Sequence, residues 1–184
     1  MGVVISLLRG INLGGRTIKM DALRALYESI DLSEPQTYVA SGNVIFKTKE
    51  RNLDRLRKRI EDAIEKKFGF HSNVILRTTA ELRDTIARNP FAKRSGIEPG
   101  KFLVTFLGNH PDKPALERLG KIKADPEELH IDGRELYIYF PNGAGRSKLP
   151  WASVEKILGV PGTARNWNSV VKMLEIAEKM EGLL

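Results

Sequence analysis

Residues 128–140 read ELHIDGRELYIYF, and this stretch decides what kind of sheet the chain can form. Two runs rich in β-forming residues flank Asp132-Gly133, and an Asp-Gly pair in that position is typical of a tight hairpin turn. Side chains in a strand alternate between two faces, and the second run places its apolar residues on one of them. That face carries Leu136, Ile138 and Phe140. The stretch therefore predicts two antiparallel strands and excludes a wholly parallel sheet.

The elements around this hairpin follow an order that the first half of the chain also shows. Strand-like runs and amphipathic helical patterns alternate as β-α-β-β-α in both halves. In the first half Ser41-Gly42 provides the hairpin turn, and Gly69 ends the long second helix. In the second half a last helix is expected from about residue 166 to residue 180, with Thr163 as its candidate cap. This order, closed by one more strand, defines a ferredoxin-like split βαβ sheet.

The chain is therefore predicted to be an α+β protein with two ferredoxin-like βαββα(β) subdomains in tandem. The first subdomain covers residues 1–90, and the second covers residues 100–184 with the C-terminal helix. Residues 90–100, which contain proline and glycine, form the linker. Half of a 184-residue chain is enough for a small domain of this kind. The repeat is one of element order, since no residue-level identity between the halves stands out.

The composition excludes several classes of site. The 184 residues include no cysteine, so disulfides, thiolate metal sites and a cysteine nucleophile are excluded. The three histidines are far apart and lack ligand spacing, so no metal site is expected. The apolar run at residues 3–8 is too short to span a membrane and lacks the features of a signal peptide. We expect a cytoplasmic protein without membrane association.

The chain carries a formal charge of +7, and its sequence pI is near 9.7. The excess is spread over both halves, at +5 for residues 1–92 and +2 for residues 93–184. No block of like charges forms a tail. A basic balance of this kind is compatible with a small acidic ligand and with nucleic acid.

Residues 9–17 read RGINLGGRT and lie between a predicted strand and a predicted helix. Glycines such as Gly10, Gly14 and Gly15 let successive backbone N–H groups turn toward an anion, and a helix N-terminus adds partial positive charge. Arg16 stands where the phosphate loop of a nucleotide hydrolase requires lysine, and that fold has no hairpins, so nucleotide hydrolysis is not expected. The segment is either an anion-binding loop or a plain turn between strand and helix.

Three further loops carry hydroxyl, amide or cationic groups that suit a phosphate or a carboxylate. They lie at the first hairpin turn, in a second glycine-rich loop, and at the start of the last helix. The candidate ligand-binding residues of these loops are Ser41, Asn43, Ser147, Lys148, Arg165 and Asn166. Those of the first loop are Arg9, Asn12, Gly14 and Gly15. Each loop also has a plain interpretation as a turn or a surface connection.

The same segments carry a resemblance to a known family. The chain resembles the bacterial "domain of unknown function 1697" family over nearly its full length. The matching pieces are Arg9-Gly10-Ile11-Asn12 with Gly14-Gly15 and Met20, Tyr38 with Ser41-Gly42-Asn43, Ser147-Lys148, and Thr163-Ala164-Arg165-Asn166-Trp167. The resemblance implies a pair of α+β subdomains and no particular activity. Two positions depart from the family pattern, since Ala40 replaces a frequent glutamine and Ser169 replaces the usual threonine.

We expect the chain to bind a small anionic ligand, bearing phosphate or carboxylate, in a cleft between the subdomains. One alternative is nucleic-acid binding through a basic surface, for which Tyr137 and Tyr139 are the best stacking platform. The other is a protein-interaction module without a ligand pocket, which predicts Arg9 and Arg165 engaged with carbonyls or carboxylates. No general base stands out, so catalysis is neither predicted nor excluded. The sequence indicates no cofactor and no oligomeric state.

Overall fold

The computed structural model describes residues 1–149 and 151–183 of the chain. Pro150, which is expected in the first turn of a helix, and Leu184 lie outside the described residues. The chain divides into two compact units. The first unit comprises Met1–Asp84 and Val171–Leu184, and the second comprises Thr85–Val170.

The first unit is built on an antiparallel sheet of four strands in the order β2-β3-β1-β4. Its elements are β1 (Gly2–Leu8), α1 (Met20–Ser29), β2 (Ser33–Tyr38), β3 (Asn43–Thr48), α2 (Leu53–Phe68), β4 (Val74–Thr78) and α3 (Thr79–Ala87). Strand β1 lies between β3 and β4 and pairs antiparallel with both. The βαββαβ order and this strand arrangement are those of the ferredoxin-like fold.

The second unit repeats this plan with the strand order β6-β7-β5-β8. Its elements are β5 (Phe102–Leu107), α4 (Lys113–Leu119), β6 (Glu128–Asp132), β7 (Glu135–Tyr139), α5 (Trp151–Leu158), β8 (Gly162–Asn166) and α6 (Trp167–Glu181), with short 3₁₀ turns at Pro99–Lys101 and Ala144–Arg146. Strand β5 is central and pairs antiparallel with β7 and β8. The structure thus confirms an α+β protein with two tandem ferredoxin-like subdomains.

Strand β8 occupies the segment that the sequence assigns to the approach of the last helix. Thr163 pairs with Phe106 across the sheet, so its expected role as the cap of that helix is wrong. Helix α6 begins at Trp167, and Oδ1 of Asn166 accepts a hydrogen bond from the N–H of Asn168 at 3.0 Å. The strand reads GTARN and has a neighbour on one side alone. A short polar edge strand has no apolar alternation by which periodicity could reveal it.

Local signals place other turns and helix ends where the sequence predicts them. Gly69 follows α2 with a φ of 78°, in the left-handed region that favours glycine. Gly133 in the β6–β7 turn has a φ of 62°. The N–H of Thr78 donates to the Glu81 carboxylate at 2.8 Å, and the N–H of Glu81 donates to Oγ1 of Thr78 at 3.2 Å. These two bonds form a capping box at the start of α3.

Each unit has a hydrophobic core between one face of its sheet and its helices. In the first unit the sheet contributes Val4, Leu8, Val44, Phe46 and Leu76, and the helices contribute Leu23, Leu26, Tyr27, Leu56, Ile60 and Ile64. In the second unit the core includes Leu107, Leu119, Leu136, Ile138, Phe140, Val154 and Leu158. Burial of such side chains stabilises a fold by roughly 1.5–3 kcal/mol each, so the cores provide the main driving force for folding.

One polar pair lies inside the core of the first unit. Ser6 on β1 is fully buried, and its Oγ lies 2.7 Å from the hydroxyl of Tyr27 on α1. Burial raises the pKa of Tyr27 well above its usual value, so the phenol stays protonated at neutral pH. The Tyr27 ring also packs edge-on against Phe46, with the ring centroids 5.3 Å apart. The hydrogen bond satisfies both hydroxyls where water does not reach.

The division into compact units differs from the predicted linker at residues 90–100. It falls within α3 and within α6, so the later part of α6 belongs to the first unit. There Glu178 accepts a hydrogen bond from Nη2 of Arg83 at 2.8 Å, and Glu181 accepts one from Oγ1 of Thr79 at 2.7 Å. The order of the elements in the sequence does not indicate that the C-terminal residues belong to the first unit. The predicted domain bounds stay a prediction.

We expect Tyr27→Phe to lower the free energy of unfolding by about 1–3 kcal/mol, because it leaves the buried Ser6 hydroxyl without its partner. Ser6→Ala removes that hydroxyl, so the double variant should lose less than the sum of the two single losses. Urea denaturation followed by circular dichroism measures all four proteins. Strictly additive losses would show that the two hydroxyls stabilise the fold independently.

Candidate functional site

Three chain segments meet at one edge of the first sheet. Strand β1 ends there, where Leu7 pairs with Asn43 at the start of β3 and Leu8 pairs with Val74 at the start of β4. The loop that follows β1 therefore leaves the sheet beside the β2–β3 turn and the segment before β4. We call these three segments, residues 9–17, 39–43 and 70–73, the loop cluster. It contains the predicted site residues Arg9, Asn12, Gly14, Gly15, Ser41 and Asn43.

Asn12 holds the first two segments together. Its Nδ2 donates to the carbonyl of Ala40 at 2.5 Å, and its Oδ1 accepts from the N–H of Ile18 at 2.9 Å. Its φ is 55°, a left-handed conformation that asparagine tolerates better than most residues. Position 40 contributes a backbone carbonyl here, so its alanine side chain is compatible with this bond. Asn12 thus uses both ends of its amide to shape the loop.

Gly42 allows the turn and the loop to approach closely. A Cβ at this position would lie 2.6 Å from Cδ1 of Ile11 and 2.9 Å from Cβ of Leu8. Its φ is 78°, and its carbonyl accepts a hydrogen bond from the N–H of Leu8 at 2.9 Å. Glycine is required here for two reasons, since any side chain would both clash and strain the backbone.

The β2–β3 turn is tied internally and is strained at one residue. Nδ2 of the buried Asn43 donates to the carbonyl of Tyr38 and to Oγ of Ser41, both at 2.9 Å. Val39 has a φ of 50°, which is a true outlier for a β-branched residue, and its side chain is half-exposed. Strain of this kind persists only where the surrounding structure holds it, and it often marks functional sites.

The two arginines of the loop occupy different surroundings. The N–H of Arg9 donates to the carbonyl of Asn73 at 2.9 Å, and the carbonyl of Arg9 accepts from Oγ of Ser72 at 2.8 Å. These bonds anchor the start of the loop to the segment before β4. The Arg16 guanidinium lies over the ring of Phe70, 5.7 Å from its centroid, in a cation–π contact. The sequence analysis missed Ser72 and Phe70, because neither residue belongs to a local motif.

The tip of the loop presents donors to solvent. Gly14 and Gly15 are exposed and have φ values of 58° and 88°. Within residues 1–149 and 151–183, the N–H groups of these two glycines donate to no protein acceptor, and the Arg16 guanidinium has no ion-pair partner. Backbone N–H groups and a guanidinium are the donors by which proteins bind oxyanions. The arrangement is therefore suited to binding a small anion.

The second unit carries the remaining predicted site residues. Oγ of Ser147 accepts from the N–H of Leu149 at 3.0 Å, beside the exposed Lys148. Nδ2 of Asn166 donates to the carbonyl of Gly100 at 3.1 Å. Both groups lie at the edge of the second sheet where β7 and β8 end and β5 begins. Their hydrogen bonds close turns within the unit.

Arg165 is buried inside the second unit and is engaged there. Its Nη1 donates to Oγ1 of Thr163 at 2.7 Å and to the carbonyl of Ala164 at 2.9 Å. Burial lowers the pKa of Arg165 to about 10, so the side chain remains protonated at neutral pH. Engagement with a carbonyl is what the interaction-module alternative predicts for this residue. Its hydrogen bonds give Arg165 a structural role in β8.

The stacking platform expected for nucleic acid is not exposed. Tyr137 is completely buried and Tyr139 is only 7% exposed, so the expectation that they form a surface platform is wrong. The hydroxyl of Tyr137 donates to the carbonyl of Thr85 at 2.8 Å. Trp167 stacks on Phe102, with the ring centroids 4.7 Å apart. Phe102, Tyr137 and Tyr139 lie on the face of the sheet opposite to the one that packs on α4 and α5, because the alternation in β7 directs its aliphatic residues toward those two helices.

Two further findings concern the described part of the chain. None of its helices combines the length and the apolar character that crossing a membrane requires. In the same residues, His, Asp and Glu side chains form no group of three that could hold a metal ion.

The fold and its edge loops define a class of α+β protein with two ferredoxin-like units. The family described as "Protein of unknown function (DUF1697)" matches residues 1–137, and the chain belongs to this family, as the motifs within those residues predict. The conserved bacterial protein SP0830 from Streptococcus pneumoniae is similar in structure, with a TM-score of 0.75 and 19% sequence identity. The match covers 96% of this chain and 98% of that one, and it shows a shared fold. No curated protein matches the chain significantly.

We expect Gly42→Ala to lower the free energy of unfolding by about 2–4 kcal/mol, because the new methyl group clashes and the backbone is left-handed. Gly14→Ala is the matched control, since its φ is also positive but no atom lies within 4 Å of a Cβ there. That variant should lose about 1 kcal/mol from backbone strain alone. Equal losses in urea denaturation would contradict the close approach of the turn to the loop.

Proposed function

We propose that the chain binds a small anion, bearing phosphate or carboxylate, at the loop cluster of the first unit. The observation that supports this most directly is the group of exposed donors formed by Gly14, Gly15 and Arg16. An exposed backbone N–H group is ordinarily satisfied by water, which an oxyanion readily replaces. The guanidinium adds the charge that makes such hydrogen bonds stronger.

The loop is shaped in advance for this role. The bonds of Asn12 and the close packing of Gly42 hold the loop against the β2–β3 turn. The ring of Phe70 holds the Arg16 guanidinium at the same edge of the sheet. A loop that is already ordered loses little conformational entropy on binding, so few contacts are enough for a specific interaction.

Helix α1 adds to the positive character of the loop cluster. It begins at Met20, and its N-cap residue Lys19 makes no side-chain capping bond. The first N–H groups of the helix keep a partial positive charge and the lysine adds a full one, while the Asp21 carboxylate of the first turn is paired with Arg24. This end of the helix follows the loop tip in the chain.

The geometry supports binding more than catalysis. His71 is the histidine of the loop cluster, and its Nε2 lies 3.3 Å from Oδ1 of Asn73, while its Nδ1 lies 3.5 Å from the Glu65 carboxylate. Both nitrogens therefore face groups of the protein. A general base must reach the proton that it removes, and both ring nitrogens of this imidazole are directed at Asn73 and Glu65. We propose binding without assigning a reaction.

The test is a titration with inorganic phosphate, followed by ¹H–¹⁵N NMR at constant ionic strength set with sodium chloride. We expect the amide signals of Gly14 and Gly15 to shift with a Kd on the order of 1 mM, as suits an exposed site with few contacts. At ten times that concentration, phosphate should stabilise the fold by about 1.4 kcal/mol. The corresponding rise in melting temperature is about 3–6 °C.

Arg16→Ala should weaken phosphate binding at least threefold, because it removes the cation that directly follows the two glycines in the loop. Arg51→Ala is the matched control, since Arg51 is an exposed arginine that follows β3, at the opposite edge of the same sheet. That variant loses the same charge and should bind phosphate as the wild type does. Equal weakening in both variants, or glycine amide signals that do not move, would refute a localised anion site.

A further inference from the structure

A cavity of about 310 Å³ lies in the second unit against the face of the sheet that packs on its helices. Its apolar walls are formed by Leu103, Ile138, Phe140, Ala144, Leu149 and Ala164. Ser147 and Thr105 complete the lining. No charged residue is among those that line it, so the cavity is chemically different from the loop cluster. Apolar pockets with a few placed polar groups are the usual form of small-molecule sites.

Thr105 lines this cavity, and its hydroxyl is enclosed in the protein without a partner among the described residues. Thr105 is only 3% exposed, and its Oγ1 has no hydrogen-bond partner among the residues that the structure describes. In those residues it is the one buried side-chain oxygen or nitrogen in this condition. A buried polar group without a partner is costly to a folded protein and needs an explanation. A ligand that bonds to the hydroxyl would supply one.

The first unit shows how the same position is satisfied when the space is filled. Counting along the central strands from their pairing partners, Ser6 of β1 corresponds to Thr105 of β5. Ser6 bonds to the hydroxyl of Tyr27 on α1 at 2.7 Å. Helix α4, which corresponds to α1, has seven residues instead of ten and begins at Lys113. The second unit therefore keeps the buried hydroxyl but leaves it without a partner of this kind.

Two side chains on the strands beside Thr105 are smaller than the corresponding side chains beside Ser6. Leu76 pairs with Ser6 in the first unit, and the smaller Ala164 pairs with Thr105 in the second. Phe46, against which the Tyr27 ring packs, corresponds in register to Ile138, which lines the cavity. At two other positions of the same register the second unit has the larger side chain, since Leu103 and Leu136 correspond to Val4 and Val44. The two smaller residues, Ile138 and Ala164, both line the cavity.

We propose that this cavity binds a small, largely apolar molecule with one hydroxyl or carbonyl group, and that rotation of the Thr105 side chain about χ1 turns Oγ1 toward the cavity to form a hydrogen bond with it. A cavity of about 150 Å³ holds one benzene ring, so about 310 Å³ suits a two-ring aromatic or an aliphatic chain of similar volume. The hydroxyl sets the orientation of the ligand, and the aliphatic walls provide the affinity. An anion is excluded as the ligand because no lining residue carries a compensating charge.

The probes are 2-naphthol and naphthalene, which differ by one hydroxyl group, and calorimetry measures their binding to the full-length chain. We expect the wild type to bind 2-naphthol more tightly than naphthalene. Thr105→Val keeps the shape of the side chain and removes the hydroxyl, so it should weaken 2-naphthol binding about three- to tenfold. The affinity for naphthalene should change less than twofold.

Ala164→Leu supplies the side chain that the first unit has at the corresponding position and should abolish binding of both probes. Circular dichroism tests whether this variant folds. If it does not, Ala144→Leu is a second variant that adds a larger side chain to the cavity wall. Arg16→Ala should leave 2-naphthol binding unchanged, which separates this site from the proposed anion site. Wild-type chain that binds neither probe, or Thr105→Val that binds 2-naphthol with unchanged affinity, would overturn the proposal.

Thr105→Val also has an expected effect on the free protein. Because it removes a buried hydroxyl without a partner, it should raise the melting temperature by about 2–4 °C. Thr48→Val is the matched control, since Oγ1 of the buried Thr48 accepts a hydrogen bond from the N–H of Glu50 at 3.1 Å. That variant should melt at a lower temperature than the wild type. A fall in both variants would show that the Thr105 hydroxyl has a partner in solution.

Discussion

Strands β1 and β5 each form hydrogen bonds with a neighbour on both sides, and the rest of each unit depends on the register of that central strand. A shift of one residue would turn every side chain of the strand to the opposite face, so it would exchange the two sets of side chains that the fold buries on either face of the strand. The register of β1 places Ser6 beneath Tyr27 and brings the glycine loop beside the β2–β3 turn. The register of β5 places Thr105 beside Ala164.

The two units have the same fold but differ in where their unusual features lie. In the first unit the core above the central strand is filled, and the unusual features lie in loops at the edge of the sheet. In the second unit the loops are closed by their own hydrogen bonds, and the unusual feature is a cavity in the core. A rigid sheet tolerates variation in both places because neither the loop tips nor one missing side chain breaks the strand pairing.

Arginine shows how surroundings decide the role of a side chain. Arg165 is buried, and its Nη1 donates hydrogen bonds to Thr163 and Ala164 of its own strand. Arg16 lies on the surface over Phe70, where the ring restricts the guanidinium without consuming its donors. Both residues are cations in polar segments, so the sequence pattern gives the same prediction for each of them. Only the exposed arginine can offer its donors to a ligand, since a buried one must satisfy them within the fold.

Short-range signals in the sequence were enough for most of the architecture. The Asp132-Gly133 turn, the capping box at Thr78 and Glu81 and the stop at Gly69 depend on neighbouring residues, so they can be predicted from the sequence alone. The element order and the loop segments in turn indicated the fold and the family. The motifs named two of the three segments of the loop cluster, and they did not include the third, which contains Ser72 and Phe70.

Tertiary structure decided which groups are buried and which partners they meet. Strand β8, the burial of Tyr137 and the Thr105 hydroxyl all depend on which strands become neighbours. Those neighbours are distant in the chain, and no local pattern encodes a contact between distant residues. The sequence by itself determined the elements, their order and their turns. The packing of the sheets decides which polar groups form hydrogen bonds inside the fold and which remain accessible to a ligand.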